Sequence, residues 1–175
     1  MQLDMLIKYH KPLGNPEKAQ DPLPHNWREL AKKDGDRPKR FGVVEEGRLY
    51  RSGIVWSHQV KKLQEDYGIV HIISLLDGDW LRDFYDDAEI KLHQFPILQR
   101  KELNYSRIRD IVDIISKLDK PALVHCLTGA TRTGMVCAGY QIINRRKGKL
   151  SAIVESVGYG MVNISSLREM LHYHL

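Results

Sequence analysis

The chain has very little cysteine. Two residues, Cys126 and Cys137, are all that 175 positions contain. That excludes a disulfide-stapled scaffold, and no His/Cys cluster has the spacing of a zinc site. The one conceivable pair is poorly placed, because Cys126 precedes and Cys137 falls within the same expected helix. At least one free thiol and a reducing compartment, the cytoplasm, are therefore expected. Long apolar runs are also missing. None approaches the roughly 18 residues of a membrane span, so none is expected. The first residues, MQLDMLIKYHKPLG, lack an apolar stretch followed by a small-residue cleavage site, so no secretory signal is expected. There is no internal repeat. A strong charge of one sign is absent too. The formal charge is +5, but residues 1–40 carry nine Lys/Arg against six Asp/Glu. The rest is nearly balanced. The basic stretch AKKDGDRPKR is interrupted by acids and has no aromatic stacking partners, so no nucleic-acid partner is expected.

What is present fits one domain. Residues 1–40, rich in Pro, Lys, Asp and Asn, read as an irregular basic segment. Within it NWRELAKKD offers a short helix, with Asn26 as its cap and Trp27 and Leu30 as anchors. The folded domain is assigned to residues 41–175. FGVV and RLYRSG flank a turn as a hairpin. SHQVKKLQEDYG reads as a helix capped by Ser57 and closed by Gly68. IVHIISLL is a β-branched run suited to a buried strand, LDGDW a loop, and IKLHQFPI a second strand ended near Pro96. YSRIRDIVDIISKLD has apolar residues at helical spacing. ALVHC is a short strand, and helices follow from Met135, over LSAIVESVG and over SSLREMLHYH. The alternation predicts an α/β fold with a mostly parallel, mixed central sheet flanked by helices. Ligands in such folds bind beyond the carboxyl ends of the strands.

At one such end stands HCLTGATRTG, residues 125–134. A thiol at a helix amino terminus, near N–H groups and a cation, is favoured as the thiolate, which makes Cys126 a candidate nucleophile. Leu127, Thr128, Gly129, Ala130 and Thr131 can form a loop whose N–H groups hold an anion, with Gly129 supplying a positive φ. Arg132 can grip two phosphoryl oxygens with its planar fork and counter transition-state charge. Thr133 offers a hydroxyl that can donate to the thiolate or assist its departure. His125 can fix the orientation of the cysteine through the loop backbone, and Gly134 permits close packing. Together these parts predict phosphoryl transfer through a cysteinyl-phosphate followed by hydrolysis. Cys137, His71 and His93 read instead as core or sheet residues. Arg51 in YRSG reads as structural, pairing with a loop near the site.

Cys-x5-Arg between His125 and Thr133-Gly134 resembles the protein tyrosine phosphatase superfamily. GRLYRSG and HIISLL upstream resemble its compact, atypical dual-specificity-like members in bacteria, fungi and plants. The resemblance spans about residues 41–160 and implies the mixed-sheet fold and a mechanism without metal or other cofactor. It also implies a general acid after KLHQFPI, where an aspartate is usual. Here Gln99 stands near that position, and glutamine cannot donate the proton. Glu102 is the first candidate, and Asp77 and Asp79 after HIISLL are alternatives. The loop adds no cation of its own, which favours a phosphorylated protein, phosphotyrosine foremost, over a highly phosphorylated inositide. Three further readings stay open. One is a phosphate-binding module of low activity, and another is an inositol (pyro)phosphate phosphatase, whose leaving group needs no acid. The last is an RNA 5′-phosphatase, which would need a basic groove.

Overall fold

A computed structural model describes residues 25–85, 89–98 and 103–162, together with Arg168, Met170 and Leu171. Five strands form one sheet: β1 (Gly42–Glu45), β2 (Leu49–Ser52), β3 (His71–Ser74), β4 (Lys91–Gln94) and β5 (Ala122–His125), in the order β1-β2-β5-β3-β4. The β1–β2 hairpin is antiparallel and every other pairing is parallel. The expected mixed, mostly parallel sheet is therefore present. β2, β3 and β5 are buried throughout, their polar residues Arg51, Ser52, His71, Ser74 and His125 included, as befits strands covered on both faces. Register fixes where a ligand could sit. Ser52 and Ser74 both pair with His125, and Ser74 also pairs with Gln94. Four parallel strands thus end level, and the loops leaving them share one edge.

Among the described residues, helices with defined bounds accompany the sheet: α1 (Trp27–Asp34), α2 (Ser57–Tyr67), α3 (Trp80–Tyr85), α4 (Tyr105–Ser116), α5 (Thr131–Ile143) and α6 (Lys149–Gly158). The central one is α5, buried over nearly its whole length between α4, α6 and the sheet. A helix apolar on every side has no solvent face to offer. Its contact with α4 depends on Gly139, where a Cβ would lie 2.3 Å from Cγ2 of Ile108. The hydroxyl of Ser156 in α6 donates to the carbonyl of Gly134, and Met161 fills the space beside that glycine.

The short helix within residues 1–40 forms and docks on the domain. Trp27 stacks on Trp56 with centroids 6.3 Å apart and contacts Phe84. The indole N–H of Trp56 donates to Asp34, and Gln59 donates to the carbonyl of Gly35. Asn26 occupies the N-cap position, but it caps through its carbonyl and not through its side chain.

Two local expectations are corrected. Ser57 is the first helical residue of α2, not its cap. The cap is Trp56, whose N–H donates to Oε1 of Gln59 three residues on while its carbonyl accepts the N–H of that glutamine. Helix α3 was not anticipated. The aromatic residues of WLRDFY close over Trp56 and Trp27, a tertiary reward that local pattern does not register. Gly68 does end α2 in the left-handed conformation, its N–H bonded to the carbonyl of Gln64. The expected helix over SSLREMLHYH lies largely outside the described residues.

Candidate active site

Cys126 is the first residue past β5 and is only 2% exposed. The loop that follows is held by its carbonyls. That of Leu127 accepts from the N–H of Ile54 at 3.1 Å, and that of Thr128 from Nη1 of Arg40 at 2.9 Å. The carbonyl of Gly129 accepts from Nη2 of Arg51 at 2.6 Å, and that of Cys126 lies 3.4 Å from Nδ1 of His125. In a trans peptide the N–H points opposite to the carbonyl. The N–H groups of Leu127, Thr128, Gly129 and Ala130 belong to these four peptides. They are therefore turned away from the scaffold that holds the carbonyls. The carbonyl of Ala130 already belongs to α5, accepting from the N–H of Gly134.

The loop rests on the end of β2. Gly129 has φ +71°, and a Cβ there would lie 2.4 Å from the nitrogen of Gly53 and 2.6 Å from the carbonyl carbon of Ser52. Only glycine fits, for the backbone conformation and for the space. The outer residues Leu127 and Thr128 are exposed, Gly129 is buried, and Ala130 and Thr131 lie between.

Arg132, in the first turn of α5, is half-buried. Its Nη1 donates to the carbonyls of Leu75, after β3, and of Ile97, after β4, each at 3.2 Å. The guanidinium thus ties together the two loops from which a general acid was expected. Asp77 is half-buried, two residues past Leu75, while Asp79 is exposed. Glu102 and Gln99 lie outside the described residues. The hydroxyl of Thr133, expected toward the sulfur, is placed 3.5 Å from the carbonyl oxygen of Ser52, on the β2 side of the helix.

His125 is wholly buried, and its Nε2 has no partner among the described residues. Burial, helped by the charge of Arg132, pushes its pKa down to about 4 against the opposing bond to the Cys126 carbonyl. It is a neutral imidazole beneath the cysteine. Cys137 sits in the core of α5, its thiol pushed up to about 11 by burial, and both cysteines are free. His71 and His93 bond one another, Nδ1 to Nε2 at 3.0 Å, and His71 reaches Asp119. His71 opens β3, at the end of the sheet away from Cys126.

Sequence reasoning singled out Cys126, Gly129 and Arg132, which the structure places in and beside one loop. It missed Arg40 and the seat formed by Ser52 and Gly53, and it gave Arg51 only an unspecified loop partner. One signal was available. An arginine inside a strand between tyrosine and serine, in a run that reads as buried, must find partners indoors.

Residues 38–172 match the family model described as Swiss Army Knife protein, DSP-PTPase phosphatase domain. Among solved structures, the chain is similar to the core catalytic domain of the PP-IP phosphatase SIW14 from S. cerevisiae. Identity is 19%, TM-score 0.68, and 78% of this chain and 87% of that one are covered. TpbA of P. aeruginosa aligns at 23% identity and TM-score 0.59 over 77% and 83% of the two chains. PTPMT1 aligns at 14% and 0.62 over 74% and 90%. No curated protein sequence matches the chain.

Proposed function

The chain belongs to the DSP-PTPase family of phosphatase domains, and from that premise we propose that it hydrolyses phosphomonoesters through a cysteinyl-phosphate on Cys126. The observation that carries the reading is the outward anchoring of four successive loop carbonyls above a buried cysteine. N–H groups turned the other way form a nest suited to three phosphoryl oxygens at the start of a helix. Leu127 to Thr131 cradle the phosphate and Arg132 clamps it. The thiolate attacks phosphorus, the P–O bond to the leaving group breaks, and that oxygen takes a proton from a carboxylic acid. Water then attacks the cysteinyl-phosphate, giving its proton to the same carboxylate. The S–P bond breaks, releasing inorganic phosphate and restoring the thiolate. We assign the acid to Glu102, with Asp77 as the rival, since both follow segments tied to Arg132. Thr133 would stabilise the departing thiolate, which requires its proton to turn from the Ser52 carbonyl toward sulfur.

For the substrate we propose phosphotyrosine in a cytoplasmic protein. One of the two exposed rim residues of the loop is Leu127, an apolar surface suited to an aromatic ring, and the loop carries no cation. A second reading has one observation in its favour. Exposed Arg40 reaches the loop through Thr128, and a cation at the rim suits a more highly phosphorylated ligand such as an inositol pyrophosphate. The solved structures similar to this chain include both a PP-IP phosphatase and a TpbA Cys→Ser form in complex with pTyr.

A panel of phosphotyrosine, phosphoserine and phosphothreonine peptides, phosphoinositides, inositol pyrophosphates and RNA 5′-triphosphate decides the substrate. Phosphotyrosine peptide should give the highest kcat/KM, and preference for the pyrophosphate would favour the second reading. Glu102→Gln should depress kcat on a phosphotyrosine peptide far more than on an activated aryl phosphate. The same pattern in Asp77→Asn instead would move the role to Asp77. Phosphopeptide binding without turnover in the wild type would leave a binding module.

A further inference from the structure

Arg51 is the third residue of β2 and is 1% exposed. A guanidinium taken out of water is costly unless its environment repays it. Among the described residues no carboxylate lies within ion-pair distance of it. Nearby Glu155 gives its carboxylate to Gln141 and Lys147. The partners of Arg51 are of another kind. Nη2 donates to the Gly129 carbonyl at 2.6 Å, its Cζ lies 4.0 Å from the centroid of the Tyr159 ring, and Nε has no hydrogen-bond partner among the described residues. Tyr159 packs against the neighbouring strand β1, where a Cβ on Gly42, the residue paired with Arg51, would meet its hydroxyl. A buried cation is thus held between an aromatic face and one loop carbonyl, with Gly129 pressed onto the end of the same strand.

We propose that Arg51, backed by Tyr159, is the positioning residue of the loop. It draws the Gly129 carbonyl outward so that the N–H of Ala130 faces the phosphoryl oxygens, and it sets a second positive charge behind the loop. The proposal rests on the cysteinyl-phosphate reading above. Arg51 does not touch substrate. It acts through one peptide plane, and the geometry of an oxyanion donor matters more in the transition state than in the bound ester. A lysine keeps the charge but not the planar, directed donor, so it should replace the arginine only in part.

The test compares Arg51→Met, Arg51→Lys and Tyr159→Leu with the wild type. It follows hydrolysis of an aryl phosphate and inhibition by vanadate, normalised to the folded fraction. Removing an oxyanion donor costs on the order of 100-fold in kcat. Arg51→Met should lose about that much, mostly in kcat and little in KM, with vanadate inhibition weakened in parallel. Arg51→Lys should be intermediate, and Tyr159→Leu should shift in the same direction by less. A merely structural role would lower the melting temperature and leave kcat and vanadate inhibition of the folded protein unchanged. That result overturns the proposal. If Arg51→Met does not fold, Arg51→Lys and Tyr159→Leu decide by the same criterion. Turnover that survives Cys126→Ser would overturn the cysteinyl-phosphate reading and this proposal with it. Turnover lost in Cys126→Ser but unchanged in the Arg51 variants would overturn this proposal alone.

Discussion

Replacing Gly129 by alanine adds one methyl group at the point where the loop touches the sheet. The new Cβ would stand 2.4 Å from the nitrogen of Gly53 and 2.7 Å from the oxygen of Ser52, about 1 Å inside ordinary contact. Neither side gives way cheaply. The N–H of Gly53 is bonded to the carbonyl of Lys39 at 2.7 Å, and that of Ile54 to the carbonyl of Leu127. A φ of +71° adds about 1–2 kcal/mol for any residue with a Cβ. The loop must therefore lift by roughly the missing distance, which stretches the 2.6 Å bond from Arg51 and turns the peptide it holds. A misplacement of about 1 Å at a reacting centre costs on the order of 100-fold in rate. Overpacking and backbone strain together should cost about 2–4 kcal/mol of stability. Turnover of an aryl phosphate by Gly129→Ala, read beside its thermal melt, gives both numbers. Unchanged kcat/KM with an unchanged melt would refute the placement of the loop on β2.

Gly139→Ala meets a side chain and not backbone, Cγ2 of Ile108 at 2.3 Å, far from the loop. It should destabilise by about 1–3 kcal/mol in a denaturant titration and leave the kcat of the folded protein intact. Acid should unfold the protein through its buried histidines. Burial is the main cause that lowers His125 and His93 from their ordinary value to about 4. The unfolded chain therefore binds more protons between about pH 6.5 and 4, and stability falls as pH drops through that window. The melting temperature should decline there, more gently in His93→Gln, and a flat profile would contradict neutral burial. Cys137→Ala should retain activity and lose about 1 kcal/mol of stability, as a small buried residue would. Comparable inactivation by Cys137→Ala and Cys126→Ser would contradict the separation of the two thiols into core and site.

The parts that were legible in the sequence share one property: they are local. Cys126, Gly129 and Arg132 lie within seven residues, and the strand ALVH and the apolar helix around them announce a strand-to-helix turn. The mostly parallel sheet follows from alternation of elements, but its order, with β5 between β2 and β3, does not. What was not legible is held together across long stretches of chain. Arg40 and Thr128 are 88 residues apart, Arg51 and Gly129 are 78, and Arg132 reaches Leu75 across 57. No periodicity connects them. GRLYRSG resembled the family without showing why. The fold supplies the reason, because Arg51, Ser52 and Gly53 together form the seat of the loop. Thr133 illustrates the reverse case. The helix was expected from Met135 but begins at Thr131, so Thr133 lies in its first turn, and a threonine hydroxyl on a buried turn goes to whichever acceptor is nearest, here a strand-end carbonyl. Helix α3 is the tertiary case, six residues whose conformation is decided by the aromatic cluster they cover.

The central claim concerns a covalent bond between phosphorus and the sulfur of Cys126. Acid quenching of the enzyme during turnover of an aryl phosphate, followed by peptide mass spectrometry, looks for that bond directly. The account predicts a phosphate adduct on the peptide containing Cys126, absent in Cys126→Ser together with turnover. Vigorous hydrolysis with no adduct, undiminished in Cys126→Ser, would contradict it.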